Sequence, residues 1–161
     1  MKSETELKNA IAIYADTVKR ICYMYLRNTH DVEDIFQIVF TKYVCSSIVF
    51  NNSEHIKAWL IRITINCCKD YLKSYWKKNV DLHDEPMDLA ETISDEYSGV
   101  LLAVRDLAPI YRDAIYLHYF EGYKASEIGR IMRKSENTVY SLLARAREQL
   151  KIKLGGDLLG E

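Results

Sequence analysis

The chain has 161 residues, 48% hydrophobic and 28% charged, with only 6 Gly and 2 Pro, a composition that suits one or two small, mostly helical domains and excludes a disordered chain. No apolar run approaches the ~20 residues that span a bilayer, the opening MKSETELKNA lacks the apolar stretch of a signal peptide, and Cys22, Cys45, Cys67 and Cys68 have no metal-ligand spacing, so they read as reduced core residues of a cytoplasmic protein, packing rather than sensing oxidation. The net charge of −1 conceals a division, with residues 1–78 at +4, 79–98 at −7 and 99–161 at +2.

In chain order, Leu7, Ile11, Tyr14, Val18, Ile21 and Tyr25 recur with the 3.6-residue period and predict a helix from Leu7 to Arg27. Asn28-Thr29-His30 follows as a turn. Asp31, with Asp34 three residues on, is the expected N-cap of a second helix whose apolar residues are Val32, Ile35, Phe36, Val39, Phe40 and Tyr43. Capping accounts for the His30, Asp31, Glu33, Asp34 cluster more simply than a metal site, because no further ligands are spaced to close one. Ile48 to Ser53 reads as a loop, with Ser53 placed to cap a third helix from Glu54 to about Lys78.

The third helix carries two patterns. Ile56, Trp59, Leu60, Ile63, Cys67 and Tyr71 form the expected buried face. Arg62, Asn66, Lys69, Lys73 and Lys77 recur at helical spacing as a polar stripe with Trp76 beside its end, and residues 53–78 hold six basic and two acidic side chains. Cations meet phosphates while aromatic rings stack on bases, so a basic stripe edged with aromatics suits single-stranded or melting DNA. The plainer account is a solvated helix face, and for Trp59 a place in the core.

The acidic stretch 79–98, which contains Pro86, is predicted as a linker. Fully extended it reaches up to ~70 Å, about two turns of duplex at ~34 Å each. Beyond it, Gly122 to Leu150 reads as two helices joined by a sharp turn. Ala125, Ile128, Ile131 and Met132 give the first a narrow apolar face, with Gly129 beside it where a second helix crosses closely. Ser135 is the expected N-cap of the second, which turns Val139, Leu143, Ala146 and Leu150 to one side and Asn137, Thr138, Tyr140, Ser141, Arg145 and Arg147 to the other. This is the layout of a helix-turn-helix whose second helix enters the major groove, against an ordinary helical hairpin with a basic face. There is no phosphate loop, dinucleotide fingerprint or spaced nucleophile–base grouping. The four histidines are scattered. The expectation is therefore of no enzyme, no cofactor and no metal.

Asp31-Val32-Glu33-Asp34-Ile35-Phe36-Gln37, Ala58-Trp59-Leu60-Ile61-Arg62-Ile63 with Asn66 and Asp70, Tyr119-Phe120-Glu121-Gly122, and the helix-turn-helix follow one another in that order. Together, over about residues 5–154, they resemble the extracytoplasmic-function group of sigma-70-type RNA polymerase sigma factors. The resemblance implies an all-α chain of two small helical domains, 1–78 and 99–154, joined by the acidic linker, with a tail at 155–161. It implies that Asp34 and Gln37, with Ile38 beside them, meet the polymerase clamp helices. Phe50, Asn51, Asn52 and Ser53 match a loop that holds a flipped promoter base, and Arg62, Asn66, Lys69 and Lys73, with Trp76, a helix facing the −10 element. Ser135, Asn137, Thr138, Tyr140, Ser141, Arg145 and Arg147 fall on the −35-facing surface. The implied partners are bacterial core RNA polymerase and promoter DNA, engaged by a monomer, and the anti-sigma protein that holds many relatives, although no residue here specifies one.

The chain departs from the family pattern at several positions. Ile38 stands where a Glu is usual, Lys124 where Ser or Thr caps a helix, Arg133 where the turn carries Gly, and Tyr140 and Leu142 where basic residues are frequent. The other reading of the helix-turn-helix is a stand-alone dimeric regulator on a palindromic site. That reading gives no role to the basic third helix or the acidic linker.

Overall fold

The computed structural model describes residues 1–78 and 95–155, and the side chains of all of these except 75–78 and 95–98. Every regular element among the described residues is an α-helix. The chain divides into two compact units, Met1–Asp88 and Leu89–Glu161. Most of the expected linker lies outside the described residues. Its last four residues, however, belong to a helix, Asp95–Arg105.

The first unit packs three helices pairwise, α1 (Glu4–Tyr25), α2 (Thr29–Cys45) and α3 (Ser53–Lys78). α1 starts earlier than its apolar period suggests because Ser3 and Glu6 form a reciprocal capping box. The cap of α2 is Asn28 rather than Asp31: Asn28 Oδ1 accepts the Asp31 N–H at 2.8 Å while its amide donates to the Asp31 carboxylate at 2.7 Å. At α3 the capping oxygen belongs to Asn52, which accepts the His55 N–H at 2.9 Å, and Ser53 is already helical. In both cases the side chain one register earlier reaches the third N–H of the helix, the geometry an N-cap needs.

The core of this unit joins Val18, Ile21 and Cys22 of α1 to Val32, Ile35 and Val39 of α2 and to Leu60, Ile61, Thr64 and Cys68 of α3. The buried face of α3 is wider than expected and turned towards Ile61 and Thr64, leaving Ile63 half-buried. A helix wedged against two neighbours buries more than one stripe, and Thr64 enters the core because its hydroxyl donates to the Leu60 carbonyl at 2.6 Å. Removing a fully buried side chain such as Ile61 would cost about 2–5 kcal/mol. Cys22, Cys67 and Cys68 are buried, but Cys45, at the last turn of α2, is exposed and not a core residue.

The second unit comprises α4 (Asp95–Arg105), α5 (Pro109–Tyr119), α6 (Ala125–Met132) and α7 (Glu136–Leu154). α7 packs on the other three. Pro109 opens α5, where its missing N–H costs nothing. The turn after α5 uses Gly122 at φ 77° and is tied by His118 Nδ1, which donates to the Tyr123 carbonyl at 2.9 Å. Leu101, Val104, Leu117, Ile128, Val139, Ala146 and Leu150 form the core. Arg105, Arg112 and Asp113 are also buried, and Arg112 Nη1 donates to the Arg105 carbonyl at 3.4 Å.

Candidate nucleic-acid interface

In the second unit the local sequence fixes how α7 is presented. α6 ends at Arg133, whose φ of 57° and ψ of 49° place a non-glycine residue in the left-handed region. The Lys134 N–H closes the turn on the Gly129 carbonyl at 2.8 Å. A Cβ on Gly129 would stand 2.6 Å from the Lys134 carbonyl oxygen, so the close approach the sequence suggested is made by the turn backbone. Lys124 supplies no side-chain cap to α6, but Glu127 reaches back to accept its N–H at 2.9 Å. Ser135 caps α7, accepting the Thr138 N–H at 3.2 Å and lying 2.8 Å from the Thr138 hydroxyl.

Asn137, Thr138, Tyr140, Ser141 and Arg145 are all exposed on α7, with Ala144 between them. Tyr140 donates to the Glu136 carboxylate at 3.3 Å, and Ser141 to the Asn137 carbonyl at 3.3 Å. Arg147 lies towards the edge of this surface and donates to the Tyr119 hydroxyl on α5 at 3.1 Å. Leu142, which matches a frequently basic position, is buried, so no outward cation is missing there. A polar helix face of this kind, started by a firm cap, can lie in a major groove and address base edges with amide and hydroxyl groups.

In the first unit Asn66, Lys69 and Lys73 are exposed along α3 and Arg62 is half-buried at the start of that line. The Trp76 side chain lies outside the described residues. At the entry to α3, Asn51, Asn52 and Ser53 are exposed, but Phe50 turns inward. Its ring centroid is 5.9 Å from Tyr43, 5.6 Å from Trp59 and 4.9 Å from His55. The exposed tip of the loop is Val49. Phe50 is thus the foot of the loop. Sequence reasoning missed Lys2, Tyr14, Tyr43 and His55, which surround it, because their sequence separations leave no local signal.

On α2, Asp34, Gln37 and Ile38 are exposed, and His30 Nε2 lies 3.7 Å from the Asp34 carboxylate. Gln37 borders a groove of about 340 Å³ lined by Leu7, Ile11, Phe36, Phe40, Thr41 and Val44. Burial pushes the Cys67 thiol up from its ordinary range, with Lys42 partly opposing the shift. The group is therefore a thiol rather than a reactive thiolate near neutral pH.

A helix-turn-helix unit beside a second helical unit with a basic stripe defines the class of a DNA-binding transcription protein. Residues 10–78 match the family model described as Sigma-70 region 2, and residues 99–150 match Sigma-70, region 4. The chain is 32% identical to RNA polymerase sigma factor SigV of Bacillus subtilis (strain 168), over 84% of this chain and 82% of that protein. It is 27% identical to the ECF RNA polymerase sigma factor SigW of the same organism, over 89% and 86%. Among solved structures, the sigma factor RpoE in complex with the anti-sigma factor NepR, from Bartonella quintana, superposes with a TM-score of 0.79 at 19% identity, covering 94% of this chain and 98% of that one. CnrH in complex with the cytosolic domain of CnrY gives 0.70 at 19% identity, covering 96% and 91%. The chain belongs to the sigma-70 family of RNA polymerase sigma factors, in its extracytoplasmic-function group. It acts in promoter-directed transcription initiation with core RNA polymerase and promoter DNA; the stand-alone dimeric regulator is not favoured. Among the described residues no helix is long and apolar enough to cross a membrane.

Proposed function

We propose that the two units divide promoter recognition between them, residues 1–78 taking the clamp and the −10 element and residues 99–154 the −35 element. The observation that carries this reading is the presence, in one chain, of a basic line on α3 beside a folded aromatic loop and of an uncrowded polar face on α7. Asn137, Thr138, Tyr140, Ser141 and Arg145 address the −35 duplex, with Ser135 fixing the helix start. Arg62, Asn66, Lys69 and Lys73 follow the strand exposed at the −10 element, and the loop through Asn51 and Asn52 receives an unstacked base. Unstacking costs a few kcal/mol, which capture of the base offsets.

Asp34, Gln37 and Ile38 meet the polymerase, and the apolar groove beside Gln37 supports this face of α2 as a protein-binding surface. The protein works as a cytoplasmic monomer without catalysis of its own, and an anti-sigma protein restrains it. The sigma factor RpoE, of the same fold, is seen in complex with the anti-sigma factor NepR. Replacing Arg62 and Lys73 together with Ala tests the division: permanganate reactivity of the −10 thymines should fall several-fold while co-migration with core polymerase is unchanged. Undiminished melting would refute the role given to the stripe.

A further inference from the structure

Lys2 stands before the first turn of α1, yet everything its side chain touches is more than forty residues away. Lys2 Nζ donates to the Ser46 carbonyl and the Ile48 carbonyl, both at 3.0 Å. The same ammonium lies 5.0 Å from the Phe50 ring centroid and 5.3 Å from that of Tyr43. Its backbone N–H donates to the Val44 carbonyl at 2.8 Å. At the other end of the loop, the Tyr14 hydroxyl, from α1, donates to the Ser53 carbonyl at 2.9 Å. The His55 ring accepts the Asn51 N–H at 3.1 Å.

Carbonyl oxygens of an irregular segment have no regular partners and otherwise turn to water, leaving the segment many conformations. A lysine ammonium carries three donors and no acceptor, and a cation is drawn to the faces of aromatic rings. One group therefore gathers two loop carbonyls and two rings at a point behind the loop. The conformation so fixed puts Phe50 inward and Val49 outward, with Asn51 exposed.

We infer that Lys2 is a positioning residue for base selection by the 46–53 loop: it holds the loop in the one arrangement that presents Val49 and Asn51 to the −10 strand. The inference rests on the reading of this loop as the −10 contact. It touches no base itself. Its effect is on which base the loop accepts, because a loop free to rearrange accommodates the wrong base by shifting.

The test uses the whole chain bound to core polymerase, transcribing a promoter library randomised through the −10 element. Lys2→Met keeps the stem and removes the donors, and Lys2→Arg keeps donors and charge. For Lys2→Met the base preference at one or two −10 positions should flatten by about tenfold, the scale of a single charge-assisted hydrogen bond, with polymerase binding unchanged. Lys2→Arg should retain most of the preference. Val49→Ala and Asn51→Ala report on the loop separately. If they flatten the preference and Lys2→Met does not, the inference is overturned and the loop reading stands. A uniform loss on all library members with a shallower salt dependence would make Lys2 a phosphate contact and overturn the inference. If no variant changes the preference, the loop reading fails and the inference falls with it.

Discussion

Replacing Gly129 with Ala places the added methyl 2.6 Å from the Lys134 carbonyl oxygen, where ordinary contact begins near 3.4 Å, so turn and helix must separate by about 0.8 Å. The obstacle is backbone, so no side chain can rotate away to relieve it. The movement strains the Lys134 N–H to Gly129 carbonyl bond and carries Ser135, the cap of α7, with it. Overpacking of this kind costs about 1–3 kcal/mol, against which Ala gains about 1 kcal/mol in helix propensity. The expected net loss is up to about 2 kcal/mol, confined to the second unit. Both tryptophans, Trp59 and Trp76, lie in the first unit, so Trp fluorescence serves as an internal control. Urea unfolding followed by circular dichroism should shift to lower denaturant while the fluorescence transition stays in place. Transcription from promoters that depend on the −35 element should fall more than the stability loss alone predicts, because the start of α7 has moved. A variant as stable as the parent, with unchanged −35 dependence, would refute the steric argument.

Relief of the neighbouring strain should act in the opposite direction. Arg133→Gly removes a left-handed penalty of about 1–2 kcal/mol and adds about 0.5–1 kcal/mol of chain entropy cost, for a net gain of about 0.5–1 kcal/mol in the same denaturation experiment. Lys124→Ser supplies the missing cap of α6, with an expected gain of about 1 kcal/mol; no gain would show that Glu127 already satisfies that end. Ile38→Glu, at an exposed site with nothing to unfold, should tighten association with core polymerase several-fold, read by titration of labelled core; weakened association would mean that the apolar side chain is itself the contact. Burial raises the Tyr14 and Tyr43 hydroxyls and the Cys67 thiol, all in the first unit, above their ordinary values. Groups raised on folding stabilise while protonated. That stability is present below the unfolded-state values and declines as pH rises past about 9, so Trp fluorescence should show the first unit loosening in alkali. Tyr14→Phe with Tyr43→Phe should blunt the pH dependence.

Helices α1, α2, α3, α6 and α7 were legible because each carries an apolar period and few breaks, and the turn before α7 was legible because that period breaks at Met132-Arg133-Lys134 and Ser135 follows as a cap. The caps of α2 and α3 were misplaced because Asn, Asp and Ser close together in sequence compete for one role, and only the backbone geometry decides which oxygen meets the third N–H. Leu142 was judged by a family position rather than by its place beside Leu143 and Ala146, both buried. Cys45 was taken for core because α2 ends there in apolar company, but the helix turns it outward. The buried Arg105, Arg112 and Asp113 left no sequence signal, since charged residues belong to the surface by default. Phe50 was matched, with Asn51 to Ser53, to a loop that holds a flipped base; its anchoring by Tyr43, Trp59 and a lysine 48 residues earlier is a tertiary event that no local pattern encodes.

The pinning of one loop from both ends, by Lys2 just ahead of α1 and by Tyr14 within it, bears on how such proteins diverge and how they can be re-engineered. A loop whose shape is held by Lys2 and Tyr14 is not a portable cassette. Grafted alone into a related scaffold, residues 46–53 would bring their letters without their conformation, since the supporting shell of a binding segment has to travel with it. The heritable unit here is discontinuous, a short loop and two distant side chains, one on α1 and one just ahead of it, and a chimera that joins sequences between α1 and α2 would separate its parts.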